Sequence, residues 1–311
     1  LVISVVIYFG IAGGLILSQR PGDLPPGDGL DFANLRSGTD APLQPWTAPD
    51  GATLHFRKYG SGSDALVVLI HGSGWHSGGS YTVLAENIAQ DPGITVLVPD
   101  LRGHGINADP RGDVAYIGQL DDDLAALITQ QQPSGAKLVI AGHSSGGGLA
   151  IRYAGGLAEP KADHMVLIAP FVHHTAPTLR ANAGGWSHVL LRRVIGLSML
   201  NMAKVTAFNY LTAVQFRVPP AIVDQGGTDA YSFRLNTSYA PRNDWQSDVA
   251  ALPQFDLIVG SQDEAFVANA FEPTLSEITD LGQYTMVPNE GHLSILFADT
   301  TAEIIRNAAT N

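Results

Sequence analysis

Lys137-Leu-Val-Ile-Ala-Gly-His-Ser-Ser-Gly-Gly-Gly-Leu-Ala-Ile151 is the stretch on which the reading of this chain turns. Its apolar residues read as a strand buried on both faces, and a glycine-rich turn leads into a helical run from Ser145. Gly142-His143-Ser144-Ser145-Gly146 matches G-x-S-x-G, a sharp strand-to-helix turn that holds a serine hydroxyl clear of a sheet. The glycines matter because the backbone at Ser144 must be strained, and a side chain two residues away on either side would clash. The following helix points its positive end at the reacting centre. Ser145 is a poor nucleophile, since no glycine stands two positions before it.

Working outward, apolar runs at 65–70, 95–99, 165–169 and 255–259 repeat the buried-strand theme. Residues 53–59 alternate as an earlier, more exposed strand, and 283–287 form a weaker last one. Helical patterns occupy 80–90, 116–131 and 145–153, with a closing helix over 296–309. This alternation predicts an α/β fold with a doubly wound, mostly parallel sheet and right-handed crossovers. Such sheets bind ligands beyond the carboxyl ends of their strands. The rhythm breaks after Pro170 and resumes after Leu252, an excursion too long for a loop, which predicts an inserted cap over about 171–252. Its Phe171, Trp186, Phe208, Tyr210 and Phe216 suggest an apolar pocket, with plain cap packing as the alternative.

A serine hydroxyl needs a base within hydrogen-bond reach, and the base needs a third group to orient it. On this kind of sheet the partners follow in the order serine, acid, histidine. Asp263 comes just after the strand at 255–259, in Gly260-Ser-Gln-Asp-Glu, and the strand-G-x-x-D spacing favours it over its neighbour Glu264. His292, in Asn289-Glu-Gly-His-Leu, is the only histidine after His188 and follows the last strand. For a developing oxyanion, the small residues of His71-Gly-Ser-Gly-Trp-His-Ser-Gly-Gly79 permit close backbone approach, with the N–H of Ser73 as one donor and that of Ser145 as the other. That loop has neither the lysine of a P-loop nor G-x-G-x-x-G spacing. Asp100-Leu-Arg-Gly-His-Gly reads as loop bracing. His173-His174 lacks further ligands at metal-binding spacing, so no metal and no cofactor is assigned.

A net charge of −12 argues against nucleic acid as a partner, and the absence of cysteine excludes disulfides and thiol catalysis. The first seventeen residues are apolar, with no charge before Arg20. A spanning helix takes roughly 17–25 such residues, so residues 1–19 are expected to be a transmembrane anchor. A cleaved signal segment, giving a secreted or periplasmic protein, and a buried helix of the fold are the alternatives. Residues 20–45 are rich in Pro and Gly and are expected to be a linker, leaving 46–311 as the folded domain.

Taken together, these stretches resemble the α/β-hydrolase superfamily, and within it the monoglyceride lipase, lysophospholipase and serine aminopeptidase group. The resemblance covers about residues 46–311 and rests on His71-Gly-Ser-Gly, Asp100-Leu-Arg-Gly-His-Gly, Gly142-His-Ser-Ser-Gly-Gly, Gly260-Ser-Gln-Asp and Glu290-Gly-His. It implies Ser144 as nucleophile, Asp263 as acid, His292 as base, and the Ser73 and Ser145 N–H groups as oxyanion hole. It also implies a helical cap and hydrolysis of a small-molecule or lipid ester through an acyl-enzyme. Many relatives carry Met where Ser145 stands. Cleavage of an amide or C–C bond by the same residues, or a silent binding protein on this fold, are the alternatives.

Overall fold

In the computed structural model, which describes residues 2–33 and 35–311, an eight-stranded sheet runs through the molecule. In chain order the first strands are β1 (Leu43–Thr47), β2 (Thr53–Tyr59), β3 (Ala65–Ile70), β4 (Ile94–Pro99), β5 (Lys137–His143) and β6 (His164–Ile168). After an insertion that carries β7 (Ser187–Val189), β8 (Thr212–Phe216) and β9 (Ala230–Ser232), the sheet resumes with β10 (Phe255–Gly260) and β11 (Gly282–Val287). The spatial order is β1-β2-β4-β3-β5-β6-β10-β11. In this sheet β1 and β2 pair antiparallel, as do β2 and β4, and its other pairings are parallel.

The unbroken apolar runs follow from burial on both faces. In β3, Leu66, Val68 and Ile70 enter the core on one side of the sheet, and Ala65, Val67 and Leu69 enter the core on the other. The principal helices are α1 (Val2–Leu17), α2 (Ser80–Ile88), α3 (Gln119–Gln131), α4 (Ser145–Gly155) and α5 (Leu191–Met202). α3 and α4 cover the first face; α2 and the C-terminal helix Asp299–Thr310 cover the second. Successive crossovers diverge between β3 and β5, the switch point where a ligand crevice opens in such sheets.

The insertion between β6 and β10 holds α5, several short helices and the antiparallel sheet β7-β8-β9. That small sheet was not singled out in the sequence. The register slips between Thr212 and Val214, so residues 211–218 lack the clean alternation that marks a strand.

The N-terminal segment requires a correction. α1 has 16 residues, about 24 Å at 1.5 Å per residue, against a hydrocarbon core of roughly 30 Å. No helix among the described residues is long and apolar enough to cross a membrane, so the spanning-anchor expectation for 1–19 is not supported. Leu1, where that expectation begins, lies outside the described residues. Part of the apolar run is used in protein contact instead. Ala12 and Ile16 are buried with Leu197, Leu200, Ala213 and Phe233. The Tyr8 hydroxyl donates to the Met199 carbonyl at 2.7 Å, and the Arg192 N–H donates to Gln19 Oε1 at 2.8 Å.

Candidate active site

The C-terminal end of β5 delivers Ser144 in a conformation that a non-glycine residue rarely adopts, φ 56° and ψ −120°. The turn is tight enough to explain both glycines of the motif. A Cβ on Gly142 would lie 2.3 Å from the Gly146 carbonyl oxygen, and one on Gly146 would lie 2.4 Å from that of Ile70. Gly148 N–H and Phe171 N–H donate to the Ser144 carbonyl, and Ser144 N–H donates to Ile168 O at 2.9 Å. Those three bonds hold the strained residue.

Asp263 and His292 lie beyond the ends of β10 and β11, on the same side of the sheet. His292 Nδ1 donates to Asp263 Oδ2 at 2.8 Å, and both side chains are shut off from solvent. The other oxygen, Oδ1, accepts the N–H groups of Ala265 (2.8 Å) and Phe266 (2.7 Å). With Nδ1–H committed to Asp263, Nε2 is the ring atom left to take a proton. Glu264, the neighbouring acid, does something else: its Oε2 accepts the His292 backbone N–H at 2.7 Å. Ser144 and His292 line one small cavity with Ser73, Trp75, Tyr81 and Trp186.

The Ser73 N–H stands between two anchored neighbours. Gly72 N–H donates to the Tyr81 hydroxyl (2.7 Å), and Gly74 N–H donates to the Tyr231 hydroxyl (2.8 Å). Each hydroxyl in turn donates a hydrogen bond to a buried histidine. Tyr81 bonds His143 Nδ1 at 2.7 Å, and His143 Nε2–H donates to the His292 carbonyl at 2.9 Å. Tyr231 bonds His104 Nε2 at 2.6 Å, and His104 Nδ1–H donates to Arg102 O at 3.1 Å. Burial, then the neighbouring histidine, pushes His143 and His104 well below the usual imidazole range. Both are therefore neutral and able to accept on one nitrogen while donating from the other. Among the described residues, the Ser73 and Ser145 N–H groups have no acceptor. Two Tyr–His relays thus clamp the loop on either side of Ser73, and one of them runs on to His292.

Tyr81→Phe is expected to lower kcat for an ester about 10- to 100-fold while KM changes little. It strips Gly72 N–H of its acceptor and His143 of its donor, each loss worth about 1–3 kcal/mol. The loss in rate is a fraction of the ~2.7–4 kcal/mol carried by an oxyanion donor. A kcat within twofold of wild type in steady-state assays would rule this role out.

Several expected features lie elsewhere. The His173 and His174 rings lie 4.0 Å apart, tilted at 45°, and His173 stacks on Trp245. Of the aromatic residues expected to form a pocket, Trp186 lines the cavity and Phe216 packs behind it at 5.5 Å. Phe208 and Tyr210 are exposed. The remaining apolar wall comes from Leu30, Phe32, Trp75, Leu293 and Leu296. Leu30 and Phe32 belong to the segment expected to be a linker. Sequence reasoning missed them, as it missed both tyrosines; His143 was in plain sight inside the motif, and His104 within the loop-bracing stretch.

A serine presented on a strained elbow at the switch point of a mostly parallel sheet defines an enzyme of the α/β-hydrolase class, a serine hydrolase. Residues 61–219, just over half of the chain, match the family described as serine aminopeptidase, S33, and the chain belongs to that family. An uncharacterized protein of Mycobacterium tuberculosis is 35% identical over 129 residues, 39% of this chain and 34% of that protein. The AB hydrolase superfamily protein YfhM of Bacillus subtilis is 35% identical over 107 residues, 32% of this chain and 34% of that protein. These alignments span about a third of those relatives. A soluble variant of monoglyceride lipase from Saccharomyces cerevisiae, solved with a substrate analog, shares the fold at a TM-score of 0.63. It is 16% identical, and the match covers 92% of this chain and 96% of that one.

Proposed function

We propose that this protein hydrolyses carboxylic esters with an apolar acyl group through an acyl-enzyme on Ser144. His292 Nε2 removes the Ser144 proton as Oγ attacks the ester carbonyl, and Asp263 stabilises the imidazolium that results. The carbonyl oxygen, now an oxyanion, accepts from the Ser73 and Ser145 N–H groups. Collapse breaks the C–O bond, and the His292 proton leaves with the alcohol. Water then repeats the sequence on the acyl-enzyme, releasing the acid and restoring the serine.

The observation that carries this reading is the buried 2.8 Å contact between His292 and Asp263 at the cavity that Ser144 lines. A choice between ester and aminopeptide rests on the cavity wall. Capturing the free amine of a peptide calls for a carboxylate near the scissile bond, and none of the lining residues is Asp or Glu. Apolar side chains dominate instead, which suits an acyl chain.

The reading is tested with an alkyl fluorophosphonate and two substrate series. One equivalent of label on Ser144 is expected by peptide mapping, with turnover of p-nitrophenyl esters and none of aminoacyl p-nitroanilides. Label on another residue, or faster turnover of the anilides, would overturn it.

A further inference from the structure

Residues 26–33, from the stretch expected to be a linker, bring Leu30 and Phe32 into the wall of the cavity that Ser144 lines. Leu30 is buried, and Phe32 lies between two tryptophans, its ring centre 6.3 Å from Trp75 and 5.8 Å from Trp186. With both side chains in place the cavity measures about 20 Å³, room for roughly one water molecule. No long acyl chain fits in that enclosed space unless part of the wall moves.

The parts of the wall are held very differently. Gly72, Tyr81 and His143 belong to the buried hydrogen-bond relay, and Trp186 is fixed by backbone bonds to Ala183 and Arg217. Among the described residues, 26–33 makes no backbone–backbone hydrogen bond at all. The ties lie at its two ends. Gln215 bonds Gly22 in both directions, and Arg217 donates to the Pro25 carbonyl. Beyond the other end, Gly38 N–H donates to Thr82 Oγ1 and Thr39 N–H to Glu86 Oε1. Between these tethers, among the described residues, the strap is held by the apolar contacts of Leu30 and Phe32, one bond within itself (Ala33 N–H to Asp31 Oδ1) and Arg36 lying over the Phe297 ring. Those are few ties of the kind that keep a segment from opening locally.

We infer that Leu30 and Phe32 are specificity-determining residues that occupy the acyl site and are displaced by the acyl chain of the substrate. A long chain replaces the apolar contacts they give up with Trp75, Trp186, Leu293 and Leu296. A short one does not, because the gain grows with each methylene buried. Only a long chain therefore displaces the strap, and part of its gain is offset by that displacement, so removing the two side chains favours long acyl groups over short ones. This inference rests on the ester-hydrolase reading for its substrate class.

The test compares the full chain with its Leu30→Ala/Phe32→Ala variant, labelled by ethyl and by dodecyl fluorophosphonate. The ratio of dodecyl to ethyl labelling rates at Ser144 is expected to rise at least tenfold in the variant. On wild type, dodecanoate is expected to speed chymotryptic cleavage after Leu30 and Phe32, and butyrate is not. The cleavage measurement needs no variant, so it stands even if the double substitution misfolds. Normal labelling of Ser144 with an unchanged or lowered ratio, or cleavage that slows or stays level with dodecanoate, overturns the inference alone. No labelling of Ser144 by either probe, with cleavage that still speeds up with dodecanoate, overturns the catalytic reading and leaves the strap standing.

Discussion

Asp263→Asn is expected to lower kcat/KM for ester substrates about 10⁴-fold with the fold intact, the size of effect seen when a triad aspartate loses its charge. The reason lies in how the carboxylate is held. Oδ1 takes two backbone N–H groups, from Ala265 and Phe266, so an acceptor must stay there. An asparagine at this position keeps its carbonyl oxygen on those donors and turns its NH₂ toward His292 Nδ1. The imidazole must then accept at Nδ1 and carry its proton on Nε2, the tautomer that cannot deprotonate Ser144. Glu264→Gln is expected to cost less than tenfold, because a glutamine oxygen can still accept the His292 backbone N–H. Steady-state assays on both variants, with circular dichroism to check folding, give the contrast. If Glu264→Gln is the more damaging change, the acid has been assigned to the wrong residue.

That pair of acids shows where the sequence was legible and where it stopped. The elbow is a local device: one strand, one turn and one helix fix the conformation of Ser144, and all of its determinants lie within a few residues. Asp263 and His292 could be placed because each follows a recognisable strand. The strand-G-x-x-D spacing favours Asp263 over Glu264, but what each carboxylate faces, Nδ1 for one and a backbone N–H for the other, depends on the packed loop.

The clamps on Ser73 were out of reach for the same reason. Tyr81 sits nine residues from Gly72, but Tyr231 reaches Gly74 from 157 residues away, within the insertion. Leu30 and Phe32 left no periodic signal, since two apolar residues among prolines and glycines look like any linker. α1 failed differently. Hydropathy does not show what an apolar run meets: Ala12 and Ile16 pack against α5, and no helix among the described residues is long and apolar enough to cross a membrane.

Acidification should unfold this protein sooner than its acidic composition suggests. His71, His104 and His143 are buried and uncharged, each holding or accepting hydrogen bonds that a second ring proton would break. Burial is the main cause in all three: it takes His71 down to about 4 and the other two well below the usual range. In the unfolded chain each titrates near 6.5. Between that value and about 4 the unfolded state therefore binds more protons, so stability falls as pH falls and is level above about 7. pH 5 itself lies about 1.5 units below the unfolded value of about 6.5, so each histidine that stays neutral in the folded state loses about 2 kcal/mol there. Three such losses, about 6 kcal/mol together, compare with a typical total of about 5–15 kcal/mol. Asp121 and Asp123, raised by burial despite Arg152 and Arg102, act in the opposite sense from 3.8 up to their raised values, and so offset part of this loss at the acid end of the window. Urea unfolding at pH 8, 6.5 and 5 should thus show a midpoint that drops steeply over the last interval. In His143→Gln, whose amide can still donate to the His292 carbonyl, the drop between pH 8 and 5 should shrink by about 2 kcal/mol, since one of the three proton-binding sites is gone. A midpoint that stays level from pH 8 to 5 would mean that these histidines are protonated in the native state, and the two relays that clamp Ser73 could not then exist as described.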